Sequence, residues 1–167
     1  MADNNEVVIA KWVWRVLRYD PLSGMFVWRV SPSERVRAGS VAGSLDKDGY
    51  RRIHIDGRLY GAHRLAWFHE TGKWPDAQID HRNLNRDDNR FSNLREATNA
   101  QNQANSRARP NNMCGLKGVS RSKLKWRSRI KLNGKCVNLG QVSCPAAAHF
   151  SYIIAANKYF GEYARNA

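Results

Sequence analysis

The tetrapeptide Thr98-Asn99-Ala100-Gln101 constrains this chain more than any other feature, because it carries the capping-box pattern, with Thr98 at the N-cap and Gln101 at N3. It predicts a helix running from Asn99 towards Arg107 and stopping before Pro110, since the residue ahead of a proline is pushed out of the α region. Upstream, Ile79-Asp80-His81 reads as the end of a short strand, Arg82 to Ser92 as a polar loop, and Asn93-Leu94-Arg95-Glu96-Ala97 as a second strand. The local order is therefore strand, long loop, strand, helix.

Turn signals divide the rest of the chain into short elements. Ile9, Val13, Val16 and Leu17 recur at helical spacing beside Trp12, which predicts an amphipathic helix near residues 6 to 17. Asp20-Pro21-Leu22-Ser23-Gly24 is a turn sequence, and the β-forming run Met25 to Val30 after it predicts a strand pair flanking the turn. Ile53 and Ile55 alternate with Arg52 and His54 and the run resumes after Asp56-Gly57, a strong hairpin signal. Ala62 to Thr71 places Leu65 and Phe68 on one helical face, with Gly72 where a helix would end. Beyond the linker-like Asn111 to Gly115, residues Val119, Trp126, Ile130, Val137 and Leu139 mark three short strands, with Asn133-Gly134 the clearest turn. Pro145 opens an alanine-rich helix through Tyr159, with Ala148, Tyr152 and Ala155 at i, i+4 and i+7. Two small modules are expected, residues 1–110 and 115–164, and a module of about 50 to 70 residues buries only about 60% of its unfolded surface.

The 167 residues hold 28 Lys+Arg against 14 Asp+Glu, a net charge of +14 that favours a polyanionic partner over a small neutral substrate. After Glu96 no acidic residue appears until Glu162, while Arg107, Arg109, Lys117, Arg121, Lys123, Lys125, Arg127, Arg129, Lys131, Lys135 and Lys158 intervene. Nucleic acid is the reading preferred here, against an anionic membrane or an ordinary solvated basic face. The membrane reading lacks an anchor, because no apolar run approaches the roughly 20 residues of a spanning helix and the N-terminus has no signal-peptide form. A soluble, intracellular protein is expected. The 3 cysteines, Cys114, Cys136 and Cys144, lack C-x-x-C spacing and read as packing residues with free thiols.

Phosphodiester hydrolysis needs a cation to neutralise charge on the phosphate and a base to deprotonate water. Asp80 and the amide oxygen of Asn102 could serve the first need, and the His81 imidazole the second. Adjacent strand residues point to opposite faces, so Asp80 and His81 should diverge. On composition alone the pair is more often an ordinary feature than a site. His63 reads as a capping or packing residue rather than a phosphate contact, and His54, His69 and His149 as surface or core residues. Asp87 and Asp88 read as members of a solvated loop rather than further metal ligands.

The whole run from Ile79-Asp80-His81 through Asp88-Asn89-Arg90-Phe91-Ser92-Asn93-Leu94-Arg95-Glu96-Ala97-Thr98-Asn99-Ala100-Gln101-Asn102-Gln103-Ala104-Asn105 closely resembles the HNH endonuclease motif of the phage and intron-encoded homing branch. Gly49-Tyr50, the Asp56-Gly57 hairpin and Ala62-His63-Arg64-Leu65-Ala66-Trp67 resemble that branch's lead-in, so the likeness spans about residues 17 to 106. The resemblance implies a ββα-metal fold with its core about residues 77–108, and it implies Asp80 and Asn102 as metal ligands, His81 as general base and Asn93 as the residue that holds the loop and His81 in place. It further implies one divalent cation, Mg²⁺ with Mn²⁺ as substitute, and cleavage to 5′-phosphate and 3′-hydroxyl ends. Many relatives have Asn-Gly two residues after the histidine, where this chain has Asn83-Leu84-Asn85, and asparagine can itself adopt the positive φ that glycine would provide.

Gly118-Val119-x-Arg121, Trp126-Arg127-x-Arg129-Ile130, Leu139-Gly140, Ala155-Ala156 and Phe160-Gly161-x-Tyr163-Ala164 resemble, in order, the AP2 domain, a three-stranded antiparallel sheet on one helix. Period-two alternation puts Arg127, Arg129 and Lys131 on one face of their strand for DNA, with Arg121 joining them and Trp126 either stacking on a base or, the preferred option, packing in the core. Asn138 stands where plant members have an aromatic residue. The expectation is an α+β protein: a ββα-metal HNH module with N-terminal β-hairpins, then an AP2-like module. Its partner is double-stranded DNA, with no membrane and no small-molecule cofactor, a monomer is favoured, and its setting is the cytoplasm of a phage-infected bacterium. A non-catalytic DNA-binding regulator that keeps the fold is the alternative. An RNA-directed protein is a third reading, resting on charge alone.

Overall fold

The computed structural model describes residues 12–165. The chain forms two compact units that divide between Glu96 and Ala97. In the first unit, helical residues 12–16 (α1) lead into β1 (Leu17–Asp20), which pairs antiparallel with β2 (Met25–Trp28). The start of the expected helix lies outside the described residues, and Leu17 opens a strand instead of closing the helix. Alternation sorts the pair, with Leu17, Tyr19, Phe26 and Trp28 inward. The turn between the strands closes on Asp20, whose carboxylate accepts from Leu22 N (3.1 Å) and Ser23 Oγ (2.5 Å).

A second sheet has the order β3 (Ser44–Leu45), β4 (Arg51–Ile55), β5 (Arg58–Gly61), all antiparallel. Asp56 (φ 48) and Gly57 (φ 75) make the tight β4–β5 turn that the Asp-Gly pair predicts. Helix α2 (Ala62–Thr71) buries Ala62, Leu65, Ala66 and Phe68 and ends at Gly72 (φ 72), whose N–H bonds to Phe68 O. Strands β6 (Gln78–His81) and β7 (Leu94–Ala97) form a two-stranded sheet, joined by a polar loop and a 3-10 turn over Phe91–Asn93. Ile79 and Leu94 enter the same core as Val13, Leu17, Phe26, Ile53 and Leu65, which pins the strand pair by its apolar residues.

In the second unit, α3 (Asn99–Asn105) starts with the capping box intact: Gln101 N donates to Thr98 Oγ1 (3.3 Å) and Thr98 N to Gln101 Oε1 (2.8 Å). Strands β8 (Val119–Ser122), β9 (Lys125–Leu132) and β10 (Lys135–Val142) form an antiparallel sheet in the order β10-β9-β8, and α4 (Pro145–Phe160) packs on it through Tyr152, Ala155 and Ala156 against Ile130. Gly118 (φ 77) lies so close to the Tyr152 ring that a Cβ there would fall 2.1 Å from it. The three thiols are free as expected, but Cys136 and Cys144 are exposed and do not pack. Among the described residues no helix is long and apolar enough to cross a membrane.

The first hairpin also braces the β6–β7 loop. Tyr19 Oη donates to Asn89 O (2.7 Å), and a Cβ on Gly24 would stand 2.4 Å from Arg90 N. Gly24→Ala is therefore expected to cost about 2 kcal/mol or more in urea unfolding, because it adds overlap with backbone to the strain of its left-handed φ of +74°. Gly39→Ala, at φ +87° with nothing within 4 Å, should cost only the strain, about 1 kcal/mol. Equal losses would show that the loop does not rest on the hairpin.

Candidate active site

Asp80 and His81 follow Ile79 out of the core and take different neighbours. Asp80 is 3% exposed and faces Arg95 of β7, itself 6% exposed, whose Nε and Nη2 lie 3.0 and 2.9 Å from Oδ2. A pair this buried loses hydration on both sides, so its stability rests on geometry, which the pairing of β6 with β7 supplies. His81, also buried, turns its ring toward His63 (centroids 5.4 Å apart) and Tyr50 (5.9 Å). Its Nε2 lies 3.4 Å from Asn89 Oδ1. Asn89 donates from Nδ2 to Asp87 O (3.0 Å), which fixes the amide so that its oxygen faces the imidazole. An N–H at Nε2 matches that acceptor, and the neutral ring then carries its lone pair on Nδ1.

Asn93 ties the loop together. Its Oδ1 accepts from Asn83 N (3.0 Å), its Nδ2 donates to Asp88 O (2.8 Å), and its carbonyl accepts from Arg82 N (2.9 Å). Arg51 grips Asp87 through Nε (2.8 Å) and Nη2 (2.9 Å), and Asp88 is held by Asn83 Nδ2 (2.6 Å) and by Arg90. The two carboxylates expected in a solvated loop are thus committed to pairs that close it. The missing glycine has a structural consequence: the positive φ falls on Leu84 (φ 64) and not on an asparagine. A branched residue there costs about 1–2 kcal/mol, offset by the surrounding bonds, including Leu84 N to His81 O (3.0 Å).

Burial pushes the His81 pKa down, opposed by the Asn89 bond and by the charges of Asp80 and Asp88. His63 is pushed down further, to about 3, first by burial and then by the charges of His81, Arg52 and Arg64. Its Nδ1 is buried without a hydrogen-bond partner. Both imidazoles are therefore neutral near pH 7, the state a general base requires. The Tyr50 ring, 5.3 Å from His63, carries Arg86 at 4.7 Å and Arg52 at 5.6 Å. Arg95, Asn89, Tyr50 and His63 were given no part in the chemistry by sequence reasoning. Asp88-Asn89-Arg90 lay inside the recognised run, but only the folded loop shows which residue reaches His81.

The first unit thus brings together Asp80, His81 and Asn93, while Asn102 is carried by α3 in the second, half-buried, its N–H bonded to Thr98 O (2.9 Å). Oxygen donors at Asp80 and Asn102 suit a hard divalent cation. No group of three or more His, Cys, Asp or Glu side chains fit to hold a metal occurs among the described residues. Mg²⁺ commonly rests on few protein ligands, with solvent and phosphate completing its shell.

On the sheet of the second unit, β9 turns Ser128 and Ile130 inward and Arg127, Arg129 and Lys131 outward. Register places Ser120, Asn138 and Gln141 on the outward face beside them, and among the described residues none of the three cations pairs with a carboxylate. Arg121 does not join this face. It pairs across the ladder with Trp126, on the side of Val119 and Ser128, and its guanidinium lies 5.2 Å over the indole. Alternation along β8 decides this, because Arg121 is two residues from buried Val119. Trp126 is half-buried on the same side.

Residues 60–104 match the HNH endonuclease family model. That span runs from the end of β5 through α2, β6, the loop and β7 into α3, so it covers Asp80, His81, Asn93 and Asn102. It supports an HNH nuclease with DNA as its substrate. No curated protein and no solved structure matches the chain.

The neutral histidines of the HNH segment tie stability to pH. An unfolded imidazole titrates near 6.5 and folded His63 at about 3, so as pH falls the unfolded chain takes up the proton first. Stability is thus expected to fall as pH drops from 6.5 towards 4, and His63→Gln should flatten that slope by up to about 1.4 kcal/mol per pH unit. Urea midpoints at pH 7 and pH 5 measure this; an unchanged slope in the variant would refute the buried neutral state.

Proposed function

We propose that this protein is a metal-dependent endonuclease of the homing-type, phage-associated HNH branch, which nicks or cuts double-stranded DNA to 5′-phosphate and 3′-hydroxyl ends. The observation that carries the reading is a buried His81 ring with Nε2 facing Asn89, beside the carboxylate of Asp80, in the segment that matches the HNH family. In this reading β6, β7 and α3 are the strands and helix of a ββα-metal finger within a nuclease module of residues 1–110. The protein works as a monomer in the cytoplasm of a phage-infected bacterium.

Nδ1 of His81 takes the proton of the attacking water, whose oxygen bonds to phosphorus as the P–O3′ bond breaks and O3′ leaves to be protonated by solvent. Asn93 positions His81 by spanning its loop, with Asn89 holding the far side of the ring. Asp80 and Asn102 would be the protein ligands of one divalent cation, Mg²⁺ or Mn²⁺, which would supply charge neutralisation at the phosphate and the leaving oxygen. Residues 115–164 are an AP2-like module that lends DNA affinity through Arg127, Arg129 and Lys131, three cations on one sheet face without carboxylate partners among the described residues.

Supercoiled plasmid incubated with Mg²⁺ should give nicked or linear product, EDTA should abolish it, and His81→Ala should lower the rate by about 10²–10⁴-fold. Full activity of His81→Ala would remove the assigned base. Arg127→Ala combined with Arg129→Ala should weaken duplex binding and flatten its log–log salt dependence by about one unit per lost phosphate contact. Unchanged affinity would take the sheet out of the DNA interface.

A further inference from the structure

Helix α3 has only 7 residues, a length at which a helix is marginal by itself. Its start is secured by the capping box, while at its end the chain's own Ser106 reaches one carbonyl alone, Gln103 O, through N (3.2 Å) and Oγ (2.7 Å). The C-cap Ser106 is extended (ψ 156), with no glycine to turn the chain back over the last carbonyls. One side chain from outside the helix gathers the carbonyls of this end. Lys117 Nζ lies 2.8 Å from Gln103 O, 2.5 Å from Ala104 O and 2.6 Å from Ser106 O. An ammonium has three donors, and here three backbone oxygens meet them. The placement also sets a positive charge against the negative end of the helix.

Lys117 is in turn fixed from the other side. His149 of α4 bonds through Nδ1 to Lys117 O (2.9 Å), and the next residue, Gly118, presses on the Tyr152 ring and leads into β8. Burial, with the charge of Arg165 adding to it, lowers the Lys117 pKa to about 8. Arg165 N gives Ala104 O a further bond at 3.3 Å. Lys117 has no part in the proposed cleavage chemistry.

We propose that Lys117 is a positioning residue for the nuclease: its ammonium caps the C-terminus of α3 and fastens the helix that carries Asn102 to the β8–β10 and α4 framework. The consequence for α3 rests on the reading of Asn102 as a metal ligand; the cap itself does not. It makes the second unit one mechanical piece, in which the outward face of the sheet and the helix bearing Asn102 share a support. DNA held by Arg127 and Arg129 then bears on the same framework that fixes α3.

The test uses the full chain. Lys117→Met keeps the length of the side chain and loses the ammonium, Lys117→Gln keeps two donors, and Lys117→Arg keeps the charge. Amide hydrogen exchange without metal should be faster in α3 by about tenfold or more in Lys117→Met, less in Lys117→Gln and least in Lys117→Arg, with β9 unaffected. Should Lys117→Met fail to fold, Lys117→Gln carries the comparison. Unchanged α3 exchange overturns the proposal. In plasmid nicking, the Mg²⁺ concentration for half-maximal rate should rise several-fold in Lys117→Met, with a smaller change in the rate at saturating Mg²⁺ and recovery in Lys117→Arg. Asn102→Ala is the control. If it shifts the Mg²⁺ dependence and Lys117→Met does not, the positioning role is overturned; if Asn102→Ala shifts nothing, the ligand reading fails while the exchange result still decides the cap.

Discussion

The bridge made by Asn93 is the constraint on which the rest of the candidate site depends. One buried amide accepts from Asn83 N and donates to Asp88 O, joining the two ends of a loop that has no apolar core of its own. A loop closed this way has a defined path, and with a defined path Asn89 reaches His81 and Asp87 reaches Arg51. Removing the amide would leave two backbone groups unsatisfied in a poorly hydrated place, which is costlier than the net worth of the bonds. The strained φ of Leu84 is tolerated for the same reason: the neighbouring bonds determine the path more strongly than the residue's own preference.

Small units must find rigidity outside their cores. The second unit centres on Ile130, Tyr152, Ala155 and Ala156, a modest apolar set, and supplements it with backbone contacts that leave no room for substitution, such as Gly118 against Tyr152. The first unit has a larger core but spends part of its interior on polar groups: Asp80 with Arg95, Asn89, Asn93 and the two imidazoles. Buried polar sets of this kind specify one arrangement when their members are partnered. The exception is His63 Nδ1, which is buried without a partner beside the His81 ring, and such an unmade bond in a cluster of titratable rings is a common mark of a functional site.

Charge is sorted by unit. Around His81 the arginines are engaged: Arg51 with Asp87, Arg90 with Asp88, Arg95 with Asp80, Arg52 with Asp46. On the outward face of β9 the cations have serine, asparagine and glutamine for neighbours instead. The first arrangement holds a structure together, while burial keeps the two imidazoles neutral. The second leaves positive potential for a polyanion, the footing of sequence-independent affinity for DNA.

Much of this was legible in the chain. The capping box of α3, the Asp56-Gly57 and Asn133-Gly134 turns, the Gly72 stop and the alternation of β9 are local, decided by residues a few positions apart, and the folded protein has each where the spacing predicts it. The whole run from Ile79 to Asn105, in which Asp80, His81, Asn93 and Asn102 stand in order, likewise brings the HNH resemblance into view. What local pattern could not decide is which distant side chains meet. Arg95 against Asp80, Asn89 against His81, His63 and Tyr50 around the same ring, and the ammonium of Lys117 at the end of α3 are all set by chain reversals that bring separate elements into contact. Arg121 is a different case, since alternation from Val119 along its own strand already sets its face, whatever its charge. The sequence by itself determined the elements and the candidate residues, because propensity and periodicity act locally. Only the tertiary structure decided their partners, because burial and hydrogen bonding are properties of the packed chain.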